Sequence, residues 1–576
     1  MSKTNKNSLY VLIDKSKLGK RFFKKEKNIF TLNKYILNKF ERKKINHYFP
    51  NPIIVSSNAE SLLLKTNKAK NLLIDNLKKF KVFNQVKDFD ELLDPFLEIK
   101  ISRFFYMQEI IPDFEYYILI KKNKRIKYSK KIDLLIAIDY LYSDNKTRKL
   151  SYIDRYSEIR GNLFYNSVLY FQSFLLKNLL FKNRKEVYLI SDSKVYFLDY
   201  LKSKFISEGK SVIYFCSSNS YIRIIKLIFE QLIKLIFWKE FKEVGFFLLP
   251  VSKNYNFNFI SNVNSTLLDE RFYNYLIKQI YSNLSTTFNF TLYLEKIFRS
   301  SKIKKSFFHS VRFPDLFSLS RVLSQKNKNV YLISHGSQTT QKNGQANLLA
   351  SKSIGIGLAF TKEKKISLLS QSHFCDDYLD SLDKKYSKIN FINNKKASPK
   401  KEINIKKRNK RTQILYVGTV KELGARRYYY ESSPEFFGSI FEIYKKISKY
   451  KNIFELIVRI RDVPNEINLE ILNNAFEDLK DFITLRNDTS LDKEIENCDC
   501  MISYSSTVLE EGLENKKPVM CYGLPEYNHL INYENIKKQK TQRIHFKKNN
   551  LQLIEDCLQK KFIYKNLPPR NLDNVY

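Results

Sequence analysis

The chain has 576 residues, 43% of them hydrophobic and 15% aromatic. That excludes a globally disordered chain and supplies apolar surface for two to four separate cores. Lys and Arg outnumber Asp and Glu by 101 to 59, a formal net charge of +42, yet the Lys residues are spread along the chain and no zinc-finger, RNP-like or GxxxxGK[ST] pattern accompanies them, so no nucleic-acid partner is expected. 

A basic surface suits an anionic membrane, a lipid-linked carrier or a polysaccharide. The six cysteines, Cys216, Cys375, Cys498, Cys500, Cys521 and Cys557, form no CxxC pair and no disulfide framework, which fits a reducing cytoplasm. The opening MSKTNKNSLYVLIDKSKLGKRFF has a five-residue apolar run before charges return, so no signal peptide is expected. Nowhere do about eighteen uncharged apolar residues follow one another, so no spanning helix is expected.

Residues 1–185 carry the fewest signals. Runs at 9–13 (LYVLI), 52–55 (PIIV), 114–121 and 132–138 read as buried strands among basic helices and loops. This part is expected to be an accessory, family-specific extension. From 186 the pattern sharpens. VYLI at 187–190 is a strand, 195–206 an amphipathic helix, Gly209-Lys210 a turn, and VIYF at 212–215 a second strand. Such a βαβ unit predicts a parallel, doubly wound sheet. The stretch 221–238, YIRIIKLIFEQLIKLIFW, places Arg223, Lys226, Glu230 and Lys234 on one helical face opposite Ile, Leu and Phe. Two placements fit that period: a cationic helix in a membrane interface with Trp238 at headgroup level, and a helix packed on the sheet with one solvated edge. The second is preferred.

Residues 305–336 read KSFFHSVRFPDLFSLSRVLSQKNKNVYLISHG. Pro314 opens a helix that ends near Gln325, and VYLI at 330–333 is a strand ended by Ser334-His335-Gly336. A His at the carboxyl end of a buried strand points into the crevice where α/β sheets bind ligands. Its pKa suits removing a proton from an alcohol near neutral pH. Gly336 permits a sharp turn and close approach of a ligand. Ser337 begins a polar stretch to 347, SQTTQKNGQAN, read as a mobile loop over the cleft, and IGIGLAF at 354–360 reads as another strand. The remaining histidines, His309 among them, have no comparable setting.

The basic run at 393–411, NNKKASPKKEINIKKRNKR, has linker composition. It divides a domain at 186–392 from one at 412–576. The latter opens with strand ILYV (414–417) and the turn Gly418-Thr419, followed by a helix over 434–450. Strand LIVRIR (456–461) sets Arg459 and Arg461 on one face, where a guanidinium can grip phosphate bidentately. ITL at 483–485 is a short strand, and 488–497 a short helix. A last helix is expected near 551–560.

The most telling stretch is 499–523, DCMISYSSTVLEEGLENKKPVMCYG. It reads as strand, polar turn, helix, strand. Ser505, Ser506 and Thr507 fall where the N-cap and first helical turn belong, a place that favours an anion such as a diphosphate. Glu510, one turn in, is placed to accept from a ribose hydroxyl. Asp499, Ser505-Ser506, Glu510 and Lys517-Pro518, in that order, resemble the C-terminal half of the two-Rossmann (GT-B) glycosyltransferases of bacterial surface and capsular polysaccharide assembly. The group that includes CDP-glycerol glycerophosphotransferases is the most similar. Pro518 stands one residue further from Glu510 than in that pattern, so Glu511 is the alternative acid. The His335-Gly336 turn is similar to the acceptor-side element of the same enzymes.

The resemblance implies an α/β fold with two Rossmann-like domains facing across a cleft. A nucleotide-sugar or related donor would sit on the C-terminal domain at Gly418, Thr419, Arg459, Arg461, Ser505, Ser506, Thr507 and Glu511. A polysaccharide or lipid-linked acceptor would sit beside Gly336 and Ser337. His335 and Glu510 would be catalytic, with no metal and no bound cofactor. The location implied is the cytoplasm, at the inner face of an anionic membrane. A sugar-nucleotide epimerase of the same architecture and a non-enzymatic polyanion-binding protein are the alternatives.

Overall fold

The computed structural model describes residues 7–12, 28–32, 34–43, 45–49, 59–79, 89–121, 124–145, 170–171, 174, 186–191, 196–215, 226, 229–230, 233, 243–246, 267–298, 303–309, 314–326, 329–333, 340–341, 349, 366–380, 385–389, 411–418, 433–450, 452–460, 467, 469–487, 490–504, 506–515, 517–522, 527–528 and 544–546. The described residues build three large sheets, of five, seven and six strands, and one two-stranded pair.

The first sheet holds β1 (Ser8–Leu12), β2 (Asn28–Thr31), β3 (Asn46–Tyr48), β4 (Tyr116–Lys121) and β5 (Lys124–Tyr128), in the order β3-β2-β1-β4-β5. All pairings are parallel except the β4–β5 hairpin. Its helices are α1 (Lys39–Lys43), α2 (Ala59–Lys78), α3 (Phe89–Ile110) and α4 (Lys131–Asn145). The strand expected at 132–138 lies inside α4. Leu134, Leu135 and Ile138 are buried there with their neighbours half-buried, and a short apolar run is compatible with either element until its packing is known.

The second sheet holds β6 (Val187–Ile190), β7 (Ser211–Phe215), β8 (Glu243–Phe246), β9 (Ile303–Phe308), β10 (Asn329–Ile333), β12 (Ile366–Ser370) and β13 (Tyr386–Lys388); the pair β11 (Thr340–Gln341) stands apart from it. Every pairing is parallel, and the order β8-β7-β6-β9-β10-β12-β13 is the 3-2-1-4-5-6 order of a Rossmann sheet with one strand added. Its helices are α5 (Tyr196–Ser207), α6 (Glu270–Phe298), α7 (Pro314–Gln325) and α8 (His373–Asp380). Pro314 stands at the first position of α7, where its missing N–H costs nothing. After α5 the chain turns at Gly209 with φ +75. The Lys210 amide donates back to Phe205 O at 2.9 Å and the Gly209 amide to Ile206 O at 3.1 Å. That is a Schellman ending, which needs a left-handed residue at this position.

The third sheet holds β14 (Thr412–Gly418), β15 (Phe454–Ile460), β16 (Ile483–Leu485), β17 (Cys500–Ser503), β18 (Val519–Cys521) and β20 (Ile544–Phe546). It is again all parallel, in the order β16-β15-β14-β17-β18-β20, the full 3-2-1-4-5-6 pattern. Helices α9 (Ser433–Ile447) and α10 (Leu469–Ala475) cover one face; α11 (Leu491–Asn497) and α12 (Val508–Glu514) cover the other. The chain is thus α/β, with two doubly wound Rossmann-like sheets. In these two sheets β8, β9, β12, β13 and β20 are additions to the sequence reading. The expected elements at 52–55, 354–360 and 551–560 lie outside the described residues. Of 221–238, only Lys226, Phe229, Glu230 and Ile233 are described. They are helical and, at spacings of three, four and seven, share one face, on which Phe229 and Ile233 are exposed.

Two elements knit the three sheets together. Helix α6 gives Phe272, Leu276 and Ile280 to the core of the first sheet and Leu294, Ile297 and Phe298 to that of the second. Phe104 stacks on Phe272 with ring centroids 3.9 Å apart. The 3-10 turn Lys34–Ile36, beyond β2, inserts Tyr35 into the core of the third sheet, 4.5 Å from Phe437 and 5.8 Å from Phe441. Burial pushes the Tyr35 phenol up to about 12, against the opposing charge of Arg42.

Candidate functional site

In a 3-2-1-4-5-6 sheet the first and fourth strands leave in opposite directions, and a crevice opens where their loops diverge. In the third sheet these strands are β14 and β17. Ser503 Oγ, fully buried, donates to Val417 O at 2.7 Å and ties the two strands at their carboxyl ends. The crevice is therefore flanked by Gly418 at the end of β14 and by Ser506 and Thr507 after β17.

Ser506 is buried, and its Oγ accepts from the Val508 amide at 3.3 Å. Thr507 occupies the N-cap position but makes no side-chain cap bond. Capping is thus done by Ser506, one residue earlier than the hydroxyl row alone implies. Helix α12 has seven residues. Glu510 lies in its first turn and is 2% exposed, while Glu511 is half-buried. Glu435, 5% exposed, occupies the first turn of α9 on the other side of the crevice, within 3.5 Å of Tyr504 Oη. Sequence reading missed Glu435. Both flanking helices thus carry a buried carboxylate in the first turn.

Glu510 is the point where the two Rossmann-like sheets meet. Ser372 Oγ, just past the carboxyl end of β12, donates to Glu510 Oε2 at 2.7 Å. The same Oγ accepts from the Cys375 amide at 3.1 Å and so caps α8. A second link joins segments that follow strands of the same two sheets. β11, from the loop after β10, pairs antiparallel with β19 (Tyr527–Asn528), from the loop after β18. Part of the stretch expected to be a mobile loop, Thr340 and Gln341, is therefore a strand, paired with a segment that follows β18. Both links join loops that follow carboxyl ends, so the two sheets present those ends to each other. Two doubly wound sheets so opposed are the GT-B arrangement.

In the second sheet the diverging strands are β6 and β9. The Ser191 amide at the end of β6 donates to Phe307 O at 2.9 Å. His309, half-buried, follows directly on the last residue of β9. Sequence reading passed it over, although position after a central strand was the signal that singled out His335. His335, Gly336, Ser337, Thr419, Arg461 and Ser505 lie outside the described residues. Arg459 is on β15, half-buried, opposite Val417.

Other members of the 499–523 stretch serve the fold. Asp499 Oδ2 accepts from the Gln413 amide at 2.7 Å. Lys517 Nζ donates to Glu496 O at 2.8 Å and Cys498 O at 2.6 Å, closing the end of α11. Burial pushes the Cys498 thiol up to about 12. Among the described residues no three His, Cys, Asp or Glu side chains gather as a metal would need. No helix of the described residues is long and apolar enough to cross a membrane.

Gly418 is required by packing. A Cβ there would lie 2.4 Å from Phe436 Cε2 and 2.8 Å from Phe436 Cδ2, and Phe436 is fully buried. Gly418→Ala is expected to destabilise the third sheet by about 1–3 kcal/mol through overpacking. Native-state hydrogen exchange of the β14 amides checks this, and unchanged protection would show that the ring moves aside at no cost.

No family model matches the chain, and no curated protein matches it. Among solved structures, a UDP-N-acetylglucosamine 2-epimerase gives a TM-score of 0.37 at 11% identity, covering 66% of this chain and 88% of that one. An S. aureus MnaA–UDP co-structure gives 0.37 at 11%, covering 65% and 88%. A glycosyl transferase family 9 structure from Veillonella parvula gives 0.24 at 9%, covering 67% and 100%. At these scores the similarity carries no argument about activity.

Proposed function

We propose that the protein transfers a glycosyl or polyol-phosphate group from a nucleotide-activated donor to a surface-polysaccharide or lipid-linked acceptor. The observation that carries this reading is the meeting of two Rossmann-like carboxyl edges at Ser372 and Glu510. Such edges are where α/β sheets bind ligands, and two of them face to face provide one surface for a donor and one for an acceptor. The donor is assigned to the crevice between β14 and β17. There Ser505, Ser506 and Thr507 offer hydroxyls and amides to a diphosphate, and Arg459 and Arg461 offer positive charge. Glu510 or Glu511 accepts from the ribose. Side chains, and no metal ion, are assigned to the leaving group. His335, two residues past β10, is assigned to deprotonate the acceptor hydroxyl. The excess of cationic side chains suits work beside an anionic membrane surface.

Thermal unfolding against UDP, GDP, CDP, CMP and their sugar- or polyol-linked forms tests the donor site. A ligand at a hundred times its dissociation constant adds about 2.7 kcal/mol. One nucleotide class is expected to shift the wild type and to lose its effect in Ser505→Ala/Ser506→Ala. If no nucleotide acts and polyanions do, the protein is a polyanion binder. If the donor is consumed without acceptor and its sugar is inverted, it is an epimerase.

A further inference from the structure

We propose that Ser372 is a positioning residue for Glu510, which makes the donor site competent only while the two sheets stand together. The inference rests on the donor reading above and adds to it a residue from the opposite domain. Glu510 is a carboxylate 2% exposed, and Ser372 is 5% exposed. They come from segments 138 residues apart. A buried carboxylate needs donors, and a hydrogen bond to a charged group is among the stronger ones.

The serine is itself fixed. Its Oγ accepts from the Cys375 amide at 3.1 Å, its carbonyl accepts from Ser370 Oγ at 3.1 Å, and the Asp376 amide donates to that carbonyl at 3.0 Å. With the lone pair on Oγ engaged by the amide, the hydroxyl proton is directed at Glu510 Oε2. This holds the carboxylate in one rotamer. A carboxylate accepts about four hydrogen bonds, so Glu510 can serve more than one donor at a time. The bond spans the interface and is broken when the sheets separate. The β11–β19 pairing crosses the same interface.

The test titrates UDP, GDP, CDP and CMP, with the 2′,3′-dideoxy form of whichever binds, against the wild type and three variants. Ser372→Ala removes both the cap and the donor. Ser372→Asp keeps an acceptor for the Cys375 amide but cannot donate to Glu510. Ser372→Thr keeps both. The ribonucleotide is expected to bind Ser372→Ala and Ser372→Asp about tenfold more weakly than wild type. Ser372→Thr is expected to bind like the wild type, and the dideoxy form to be insensitive to all three. Wild-type affinity in Ser372→Asp overturns the proposal, because Ser372 then only caps α8. An equal loss for the dideoxy form also overturns it, because the effect is then not on Glu510. If no nucleotide binds the wild type, the donor reading falls first. Hydrogen exchange then decides the interface: faster exchange of Val508–Glu514 amides in Ser372→Asp supports the cross-domain bond as the element that orders Glu510, and unchanged exchange overturns it.

Discussion

His335→Ala is expected to leave the fold and donor binding intact while lowering turnover by about 10²–10⁴-fold, the range typical of removing a general base. The expectation follows from where β10 ends. Ile333 is buried as the last residue of that strand, paired in parallel with Leu369 of β12. His335 follows two residues later, in the loop whose Thr340 and Gln341 reach across to β19. A base that acts on the acceptor has no role in holding the donor. The nucleotide-induced thermal shift should therefore persist in the variant while kcat falls, and the acidic limb of the kcat/KM profile should flatten. If turnover survives within tenfold, His335 is not the base. His309 is then the next candidate, because it follows β9 at the divergence of β6 and β9. His309→Ala would show the loss instead.

Much of the two Rossmann-like sheets was legible because their strands are short, nearly continuous apolar runs. VYLI, SVIYF, TQILYVG, FELIVRI and CMIS are buried on both faces by helices, and that removes the polar alternation that would confuse the pattern. The strand order was not legible, because right-handed crossovers are compatible with 2-1-3-4-5 as well as with 3-2-1-4-5-6. Legibility stopped where one element serves two cores. Helix α6 changes partner along its 29 residues: Leu276 and Leu294 stand on one face, about five turns apart, yet pack in different cores. It stopped again at IHF in β20, three residues long with a histidine inside. In the site, Glu510 and the hydroxyl turn announced themselves through local spacing. Ser372 did not. A serine in SQSH has no signature, and its importance comes from a contact 138 residues away. Glu435 was obscured for the same reason: its neighbour in space, Tyr504, comes from the far side of the crevice.

Asp139→Asn is expected to cost the first domain about 3–5 kcal/mol, the penalty for removing one partner from a buried ion pair. Asp139 is 3% exposed on α4. Its Oδ2 accepts from Lys100 Nζ at 2.8 Å and from Tyr275 Oη at 2.6 Å, and its Oδ1 from Arg103 Nη1 at 2.6 Å. The two cations come from α3 and the phenol from α6, so the carboxylate fixes the helix that both cores share. Burial by itself would raise the Asp139 carboxyl. The charges of Lys100 and Arg103 and the hydrogen bonds from Lys100 and Tyr275 reverse that, and the net displacement is downward. A carboxyl depressed in the folded state contributes stability that is present above the unfolded value of about 3.9 and is lost as pH falls through the folded value. The difference between wild type and Asp139→Asn should accordingly be full near neutrality and shrink below about pH 4. Hydrogen exchange of the α4 amides reads the first domain without requiring the whole chain to unfold in one step. A gap that stays constant with pH would show that the variant acts through packing and not through charge. The triple variant Asp139→Leu/Lys100→Met/Arg103→Met gives the complementary result. It removes all three charges together, so it should recover most of the stability that Asp139→Asn loses, because charge desolvation offsets much of what a buried ion pair gains.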